Sequence, residues 1–154
     1  MDEVPCDFKE LLECFNAHGV EFVVVGAHAL AVHGRPRATG DLDLLMRPDL
    51  ENAKRVLAAL NDFGFPSMGF GPEGIAVPDQ VVQLGVPPVR IDILTSISGV
   101  SWEEAWASRV SGKIGGVPVQ VIGRDAYIAN KRAAGRPKDL VDADEVEKLS
   151  EPGR

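Results

Sequence analysis

Two carboxylates follow a buried strand and a tight turn in one short stretch, and this stretch limits the folds open to the chain. It runs from Phe22 to Met46 and ends in Asp-Leu-Asp-Leu-Leu-Met. Alternation along a strand directs Asp41 and Asp43 to one face and the intervening leucine to the other. Because neighbouring like charges repel each other, the pattern requires a cation between them. A divalent metal that holds a nucleoside triphosphate is the candidate that these residues indicate.

The turn before the carboxylates combines Gly26 and Ala27 at the start of a short helix predicted over residues 27–33. Backbone N–H groups at the start of a helix attract anions, and glycine allows a phosphate to approach the backbone closely. The turn is therefore a candidate phosphate-binding element.

A third carboxylate, Asp92, stands in the apolar segment Arg-Ile-Asp-Ile-Leu, where alternation places it opposite the two isoleucines. If this strand lies beside the first one, three carboxylates converge. Two metals about 3.5–4 Å apart could then hold the attacking and leaving oxygens of an in-line displacement. Two alternatives stay open: the Asp-x-Asp pair forms a solvated sheet edge, and Asp92 is a surface acid paired with Arg90.

These elements resemble the signature of the DNA-polymerase-β-like nucleotidyltransferase superfamily, which is an apolar strand, Gly followed by Gly or Ser, a spacer, and acid, apolar residue, acid. The pattern Gly-x-His-Ala-Leu…His-Gly-x-x-Arg-x-Thr-x-Asp-x-Asp is similar to that of minimal nucleotidyltransferases related to the AbiEii-like type IV toxins of abortive-infection systems. Ala27 departs from the signature, in which a serine hydroxyl contacts phosphate, but it still offers its backbone N–H.

The resemblance implies a metal-dependent enzyme that transfers a nucleoside monophosphate from a nucleoside triphosphate to a hydroxyl, with Mg²⁺ or Mn²⁺ as cofactor. It implies that Asp41 and Asp43 bind the metals and the triphosphate. Asp92 would bind the catalytic metal and help to activate the hydroxyl. The phosphate-binding residues that it implies are Gly26, Ala27, Arg37, Thr39, Lys131 and Lys138.

Several of these residues have structural alternatives. Arg37 either contacts phosphate or pairs with an acid of the protein. Lys138 either faces the triphosphate or pairs with Asp142 one helical turn later. We expect His28 to be buried and hydrogen-bonded, with nucleotide contact as the alternative, and His33 to lie at a helix end.

Periodicity and turn residues predict an α+β fold in one domain over residues 1–154, with a mixed or antiparallel sheet flanked by helices. Strands are predicted over 21–25, 41–46, 80–84, 89–95 and 117–122. Helices are predicted near 8–18 and over 27–33, 50–63, 124–134 and 138–149, with a capping box at Ser101 and Glu104 starting one more.

A net charge of −7 argues against a wide basic surface for nucleic acid. It still allows a local cluster of Arg35, Arg37, Lys131, Arg132, Arg136 and Lys138. No apolar run approaches the roughly 20 residues of a membrane helix, and the acidic N-terminus is unlike a signal peptide. We therefore expect a cytoplasmic protein, with Cys6 and Cys14 reduced.

The acceptor of the implied reaction is not readable from the sequence, and tRNA, a protein side chain or a small molecule all fit. A partner protein and a role in toxin–antitoxin or defence systems are further implications of the resemblance. The alternative function is a catalytically weak nucleotide-binding or antitoxin-like module of the same fold. A third alternative is an acidic scaffold domain with an unrelated carboxylate cluster.

Overall fold

A computed structural model describes residues 6–34, 41–64, 71–86 and 89–149, and it contains a six-stranded mixed sheet flanked by helices. This confirms the predicted α+β class. The elements in chain order are α1 (Cys6–Ala17), β1 (Phe22–Val25), α2 (Ala27–Val32), β2 (Asp41–Met46), α3 (Leu50–Phe63), β3 (Val81–Val86), β4 (Val89–Leu94), α4 (Trp102–Ala107), β5 (Val110–Ile114), β6 (Val117–Val121), α5 (Arg124–Ala134) and α6 (Pro137–Leu149).

The strands lie in the order β3-β4-β2-β1-β6-β5. The hairpins β3–β4 and β5–β6 are antiparallel and form the two sides of the sheet, and β1 runs antiparallel to β2. The pairs β2–β4 and β1–β6 are parallel. The two strands that carry the predicted carboxylates are therefore neighbours in the interior of the sheet.

Alternation along the two carboxylate strands produces one apolar set and one charged set. Leu42, Leu44, Ile91 and Ile93 are all buried in the core. The first helix packs against α3 and β6, and it contributes an apolar stripe of Phe8, Leu11, Leu12 and Phe15, each with no exposed surface. Burial of this apolar set fixes which face of β2 and β4 carries the acids.

Most predicted boundaries agree with the structure to within one or two residues, but the strand β5 was not predicted. Its sequence Val-Ser-Gly-Lys-Ile has only Ile114 buried, so it lacks the apolar alternation that identifies a strand. It forms because the turn at Gly115 and Gly116 folds it back onto β6. Within the described residues, no helix is long and apolar enough to cross a bilayer.

The start of α3 is joined to the sheet by the buried side chain of Asn52. Its Oδ1 accepts a hydrogen bond from Glu21 N at 2.8 Å, and its Nδ2 donates to Glu21 O at 2.9 Å and to Arg47 O at 3.1 Å. Asp49 caps the same helix by accepting from Asn52 N. One amide therefore satisfies three backbone groups where β1 begins and β2 ends.

We predict that Asn52→Ala lowers the free energy of unfolding by about 1–3 kcal/mol, because buried backbone groups lose their partners. Urea unfolding measures the change. Asn61→Ala, at an exposed position of the same helix, is the control and should change stability little. Equal effects of the two substitutions would contradict the role assigned to Asn52.

Candidate active site

The parallel register of β2 and β4 brings the predicted carboxylates together. Asp41 lies opposite Arg90, and Asp43 lies opposite Asp92, on adjacent strands about 4.8 Å apart. All four residues are on the face opposite the buried leucines and isoleucines. Three acids and one base therefore share a small area of the sheet.

Arg90 bridges two of the three carboxylates. Its Nη2 donates to Asp41 Oδ2 at 2.9 Å, and its Nε donates to Asp92 Oδ1 at 3.1 Å. A further contact from Nη2 to Asp92 Oδ2 measures 3.3 Å, so the guanidinium faces both oxygens of Asp92. The structure thus combines the convergence of the acids with the Arg90 pairing that the sequence left as an alternative.

The remaining carboxylate, Asp43, lies opposite Asp92, and no arginine of the described residues pairs with it as Arg90 pairs with Asp92. Burial, followed by the charge of Asp92 and a hydrogen bond with it, raises the pKa of Asp43 from 3.8 to about 6. Lys131 acts in the opposite direction, but its effect is smaller. Among the described residues, Arg90 contacts this pair only through Asp92, so the two carboxylates have a deficit of positive charge.

The turn between β1 and α2 is packed directly against Asp43. Gly26 has φ 74° and ψ −150°, a backbone conformation that is essentially confined to glycine. A Cβ atom placed on this residue would overlap the Asp43 carboxylate. Ala27 follows as the first residue of α2. The glycine is therefore required by the position of the acid, whatever its relation to phosphate.

A cleft of about 240 Å³ opens beside Gly26 and Asp43. Its opposite wall comes from α5, from the start of α6 and from the segment after β4. The lining side chains besides these two are Val25, Leu94, Ile97, Ser98, Asn130, Lys131, Ala134, Arg136 and Asp139. One predicted acid and one predicted lysine therefore face the same space.

Lys131 is held in this cleft by two buried acids that the sequence analysis did not assign to the site. Its Nζ lies 3.4 Å from Asp139 Oδ1 and 3.9 Å from Asp142 Oδ2. Asp139 also accepts two hydrogen bonds from Arg136, at 2.6 and 3.1 Å. Arg136, and then Lys131, hold the pKa of Asp139 below its ordinary value despite burial. The spacing of these residues on two predicted helices was visible, but their meeting required the angle between the helices.

The other predicted residues are placed differently. Lys138 is exposed in the first turn of α6 and does not line the cleft, and Asp142 lies near Lys131. Arg37 and Thr39 lie outside the described residues.

The two histidines of the turn region also differ from each other. His33 donates from Nε2 to Ile122 O at 2.7 Å at the end of α2, as a helix-end residue. The expectation of a hydrogen-bonded His28 is wrong for Nε2, which is buried and has no partner among the described residues. The ring instead packs edge-on against Phe8, and burial lowers its pKa.

The three carboxylates are chemically suited to bind a hard divalent cation, but they are not arranged around a common metal position. Carboxylate oxygens are the ligands that Mg²⁺ and Mn²⁺ prefer, and the charge deficit lies at Asp43 and Asp92. Among the described residues, no group of three or more acidic, histidine or cysteine side chains is arranged to hold a metal ion. Arg90 contacts one oxygen of Asp41 and one of Asp92, so a cation that binds these two oxygens must displace its hydrogen bonds.

We predict that Gly26→Ala lowers stability by about 1–3 kcal/mol through backbone strain, with an added contribution from the clash with Asp43. Removing the carboxylate should relieve the clash, so Gly26→Ala and Asp43→Ala should be non-additive in a double-mutant cycle measured by urea unfolding. Gly19→Ala is the control, because Gly19 also has a positive φ but no atom within 4 Å of an added Cβ. Gly19→Ala should be additive with Asp43→Ala. If Gly26→Ala were additive with Asp43→Ala as well, the result would contradict the contact between Gly26 and Asp43.

A second prediction concerns pH. The folded protein holds the Asp43 proton more tightly than the unfolded chain, so stability falls as the pH rises from about 4 to 6. Asp43→Asn removes this pH-dependent contribution to stability. In EDTA, the melting temperature of the variant should therefore rise relative to that of the wild type across this interval. At pH 7 it should be the higher of the two. Parallel pH profiles for the two proteins would disprove the raised pKa.

Comparisons with known proteins identify the fold and the family of the chain. No match was found among curated proteins. The lincosamide antibiotic adenylyltransferase LnuA, bound to lincomycin, has a TM-score of 0.56 at 11% identity, covering 97% of this chain and 100% of its own. ANT(2")-Ia in complex with adenylyl-2"-tobramycin has a TM-score of 0.57 at 18% identity, covering 92% and 91%.

A candidate nucleotidyltransferase from Thermotoga maritima has a TM-score of 0.55 at 14% identity, covering 92% of this chain and 88% of its own. At these identities the three structures establish a shared fold. The model of one protein family matches residues 6–153, almost the whole sequence. The chain belongs to this family, which is described as nucleotidyl transferases of unknown function (DUF2204).

Proposed function

We propose that the protein transfers a nucleoside monophosphate from a nucleoside triphosphate to a hydroxyl group and depends on Mg²⁺ or Mn²⁺. The observation that carries the proposal is the pairing of Asp43 with Asp92 on neighbouring strands, with Asp43 lining a cleft that also contains Lys131. Family membership supports the class of reaction. The metal requirement rests on the charge deficit at these two carboxylates.

The reaction divides into tasks for this chain's residues. The acceptor oxygen attacks the α-phosphorus, the bond to the β-phosphate oxygen breaks, and pyrophosphate leaves. Asp92 is the group proposed to accept the proton of the acceptor hydroxyl, because it is the most buried of the three acids and lies in the centre of the cluster. When bound, divalent cations would neutralise the triphosphate and the developing negative charge.

Other residues would bind and orient the triphosphate. Lys131 presents a cation to the cleft, and Gly26 leaves the backbone of its turn open to a close approach. We propose further phosphate contacts for Ala27, Arg37, Thr39 and Lys138 from the sequence resemblance alone. Holding the reactants in line accounts for much of the rate that such a site can supply.

We propose a small hydroxyl compound as the acceptor. The net charge of −7 disfavours binding to an RNA backbone, which requires neutralisation of phosphates. Two structural neighbours are described with a small antibiotic or its adenylylated form bound. A tRNA or protein acceptor, a partner protein and a toxin–antitoxin or defence role in the cytoplasm remain predictions from the sequence resemblance.

A second function has one observation in its favour. Arg90 pairs with two of the three acids, and such pairing is compatible with a nucleotide-binding module of low turnover. The departure at Ala27 points the same way. Turnover therefore has to be measured directly.

The test uses each nucleoside triphosphate labelled at the α-phosphate, with Mg²⁺ or Mn²⁺, and three acceptor fractions: total RNA, proteins and small molecules from a cell lysate. Label in one fraction, with release of pyrophosphate, establishes nucleotidyl transfer and identifies the class of acceptor. Triphosphate labelled at the γ-phosphate should leave every acceptor unlabelled. Binding without transfer in any fraction would favour the low-turnover module.

We predict that Asp43→Asn lowers the transfer rate by at least about a hundredfold, as the loss of roughly 2.7 kcal/mol of transition-state stabilisation would do. Asp62→Asn is the control, because Asp62 pairs with His18 on the surface and does not line the cleft. Calorimetry should also show that nucleotide binding to the wild type requires the metal. Equal nucleotide affinity in EDTA would contradict the mechanism.

A further inference from the structure

Arg90 occupies a place in the site that neither the family description nor the proposed chemistry assigns. Its guanidinium lies between Asp41 and Asp92, with donor–acceptor distances of 2.9 and 3.1 Å. The three side chains come from two neighbouring strands, and the register places Arg90 directly opposite Asp41. Rigid strands therefore fix the backbone positions of all three.

The contact is partly shielded from water. The side chain of Asp92 is 12% exposed and that of Arg90 is 29% exposed, whereas that of Asp41 is 43% exposed. A planar guanidinium that faces both oxygens of a buried carboxylate is a strong and directional partner. Arg90 thus supplies positive charge to both acids at once.

We propose that Arg90 is a positioning residue that acts as a built-in counter-ion, holding Asp41 and Asp92 together in the metal-free protein and competing with divalent cations for their oxygens. This inference rests on the proposed function, since it assigns the same acids to the metal site. The cation affinity of the site is then set by the cost of releasing Arg90 from at least one carboxylate. Asp41, the more exposed of the two, is the acid that is released first.

The test measures Mn²⁺ binding to nucleotide-free protein by calorimetry and by the loss of the free-ion electron paramagnetic resonance signal. Arg90→Met keeps the length and apolar stem of the side chain but removes the charge. We expect it to bind Mn²⁺ at least about tenfold more tightly than the wild type, because a cation beside the site is removed. Unchanged or weaker binding would overturn the proposal, as would the absence of binding to both proteins.

A matched control exists at the other end of β2. Arg47 also joins two carboxylates, those of Glu21 at 2.7 Å and Asp49 at 2.8 Å, so Arg47→Met makes the same change of charge and also breaks a bridged pair. It should leave Mn²⁺ affinity within about twofold of the wild type. Tightening as large as that of Arg90→Met would mean that only net charge matters, and it would overturn the proposal.

A second variant separates competition from charge and serves if Arg90→Met does not fold in EDTA. Arg90→Lys keeps the charge but cannot face both acids with a planar fork. It should bind Mn²⁺ more tightly than the wild type and less tightly than Arg90→Met. Affinity equal to that of the wild type would overturn the proposal that Arg90 competes with Mn²⁺ for the carboxylates.

Thermal unfolding gives an independent readout of the same idea. Without metal, Arg90→Met should melt below the wild type, because Asp41 and Asp92 lose their contacts with the guanidinium. Saturating Mn²⁺ should raise its melting temperature more than that of the wild type. An equal rise in the two proteins would contradict the exchange of one cation for another.

These measurements contain no nucleotide and no acceptor, so they fail or succeed separately from the transfer assay. Tighter Mn²⁺ binding by Arg90→Met without transfer by the wild type would remove the proposed reaction and keep the counter-ion. Transfer by the wild type with unchanged Mn²⁺ binding in Arg90→Met would keep the proposed reaction and remove the counter-ion role of Arg90.

Discussion

The parallel pairing of β2 with β4 determines where every charged group of the carboxylate cluster lies. A shift of one residue would turn one strand's charged set toward the core and its apolar set toward the cleft. The burial of Leu42, Leu44, Ile91 and Ile93 makes that shift costly. The same apolar contacts that stabilise the sheet therefore force three acids into proximity. Repulsion among the acids is a cost that the core interactions offset.

The turn at Gly26 shows how a sequence motif can have two causes. The sequence argument attributes the glycine to the approach of a phosphate. In the structure, its positive φ and the Asp43 carboxylate packed against it already disfavour any side chain. A glycine at this position is thus needed to place the acid, and an open backbone facing the cleft is a consequence. The two explanations predict different effects of substituting Gly26. If the glycine is needed to place Asp43, a substitution destabilises the protein without ligand. If it is needed only for the approach of a phosphate, a substitution affects only the liganded protein.

Much of the fold was predictable, because local patterns were strong where the core is well packed. The boundaries of β2 and α3 and the capping box before α4 all followed from short-range chemistry. The face of the sheet that carries Asp41, Asp43 and Asp92 followed from alternation. The strand β5 did not, because its side chains are mostly exposed and its existence depends on pairing with β6.

The parts of the site that were not predicted depend on long-range geometry. Arg90 was recognised as a partner for Asp92, but its contact with Asp41 arises from the strand register. Asp142 was considered only as a partner of Lys138, and the position of Asp139 and Asp142 beside Lys131 depends on how α5 packs against α6. His28 was expected to be buried and hydrogen-bonded, but its Nε2 has no partner among the described residues and its ring lies against Phe8. In each case, the sequence specifies the group and the packing specifies its neighbours.

The arrangement around Lys131 has a consequence for the form in which a triphosphate would enter. Lys131 and Arg136 contact the buried acids Asp139 and Asp142, and Arg90 contacts two of the three acids on the sheet. Among these described side chains, five acids outnumber three bases. The net charge around this space is therefore close to neutral or negative, and a triphosphate without bound cations is attracted to it only weakly. A nucleotide that arrives with its cations attached carries much less negative charge. For the proposed reaction, this favours cation and nucleotide entering as one species rather than in sequence.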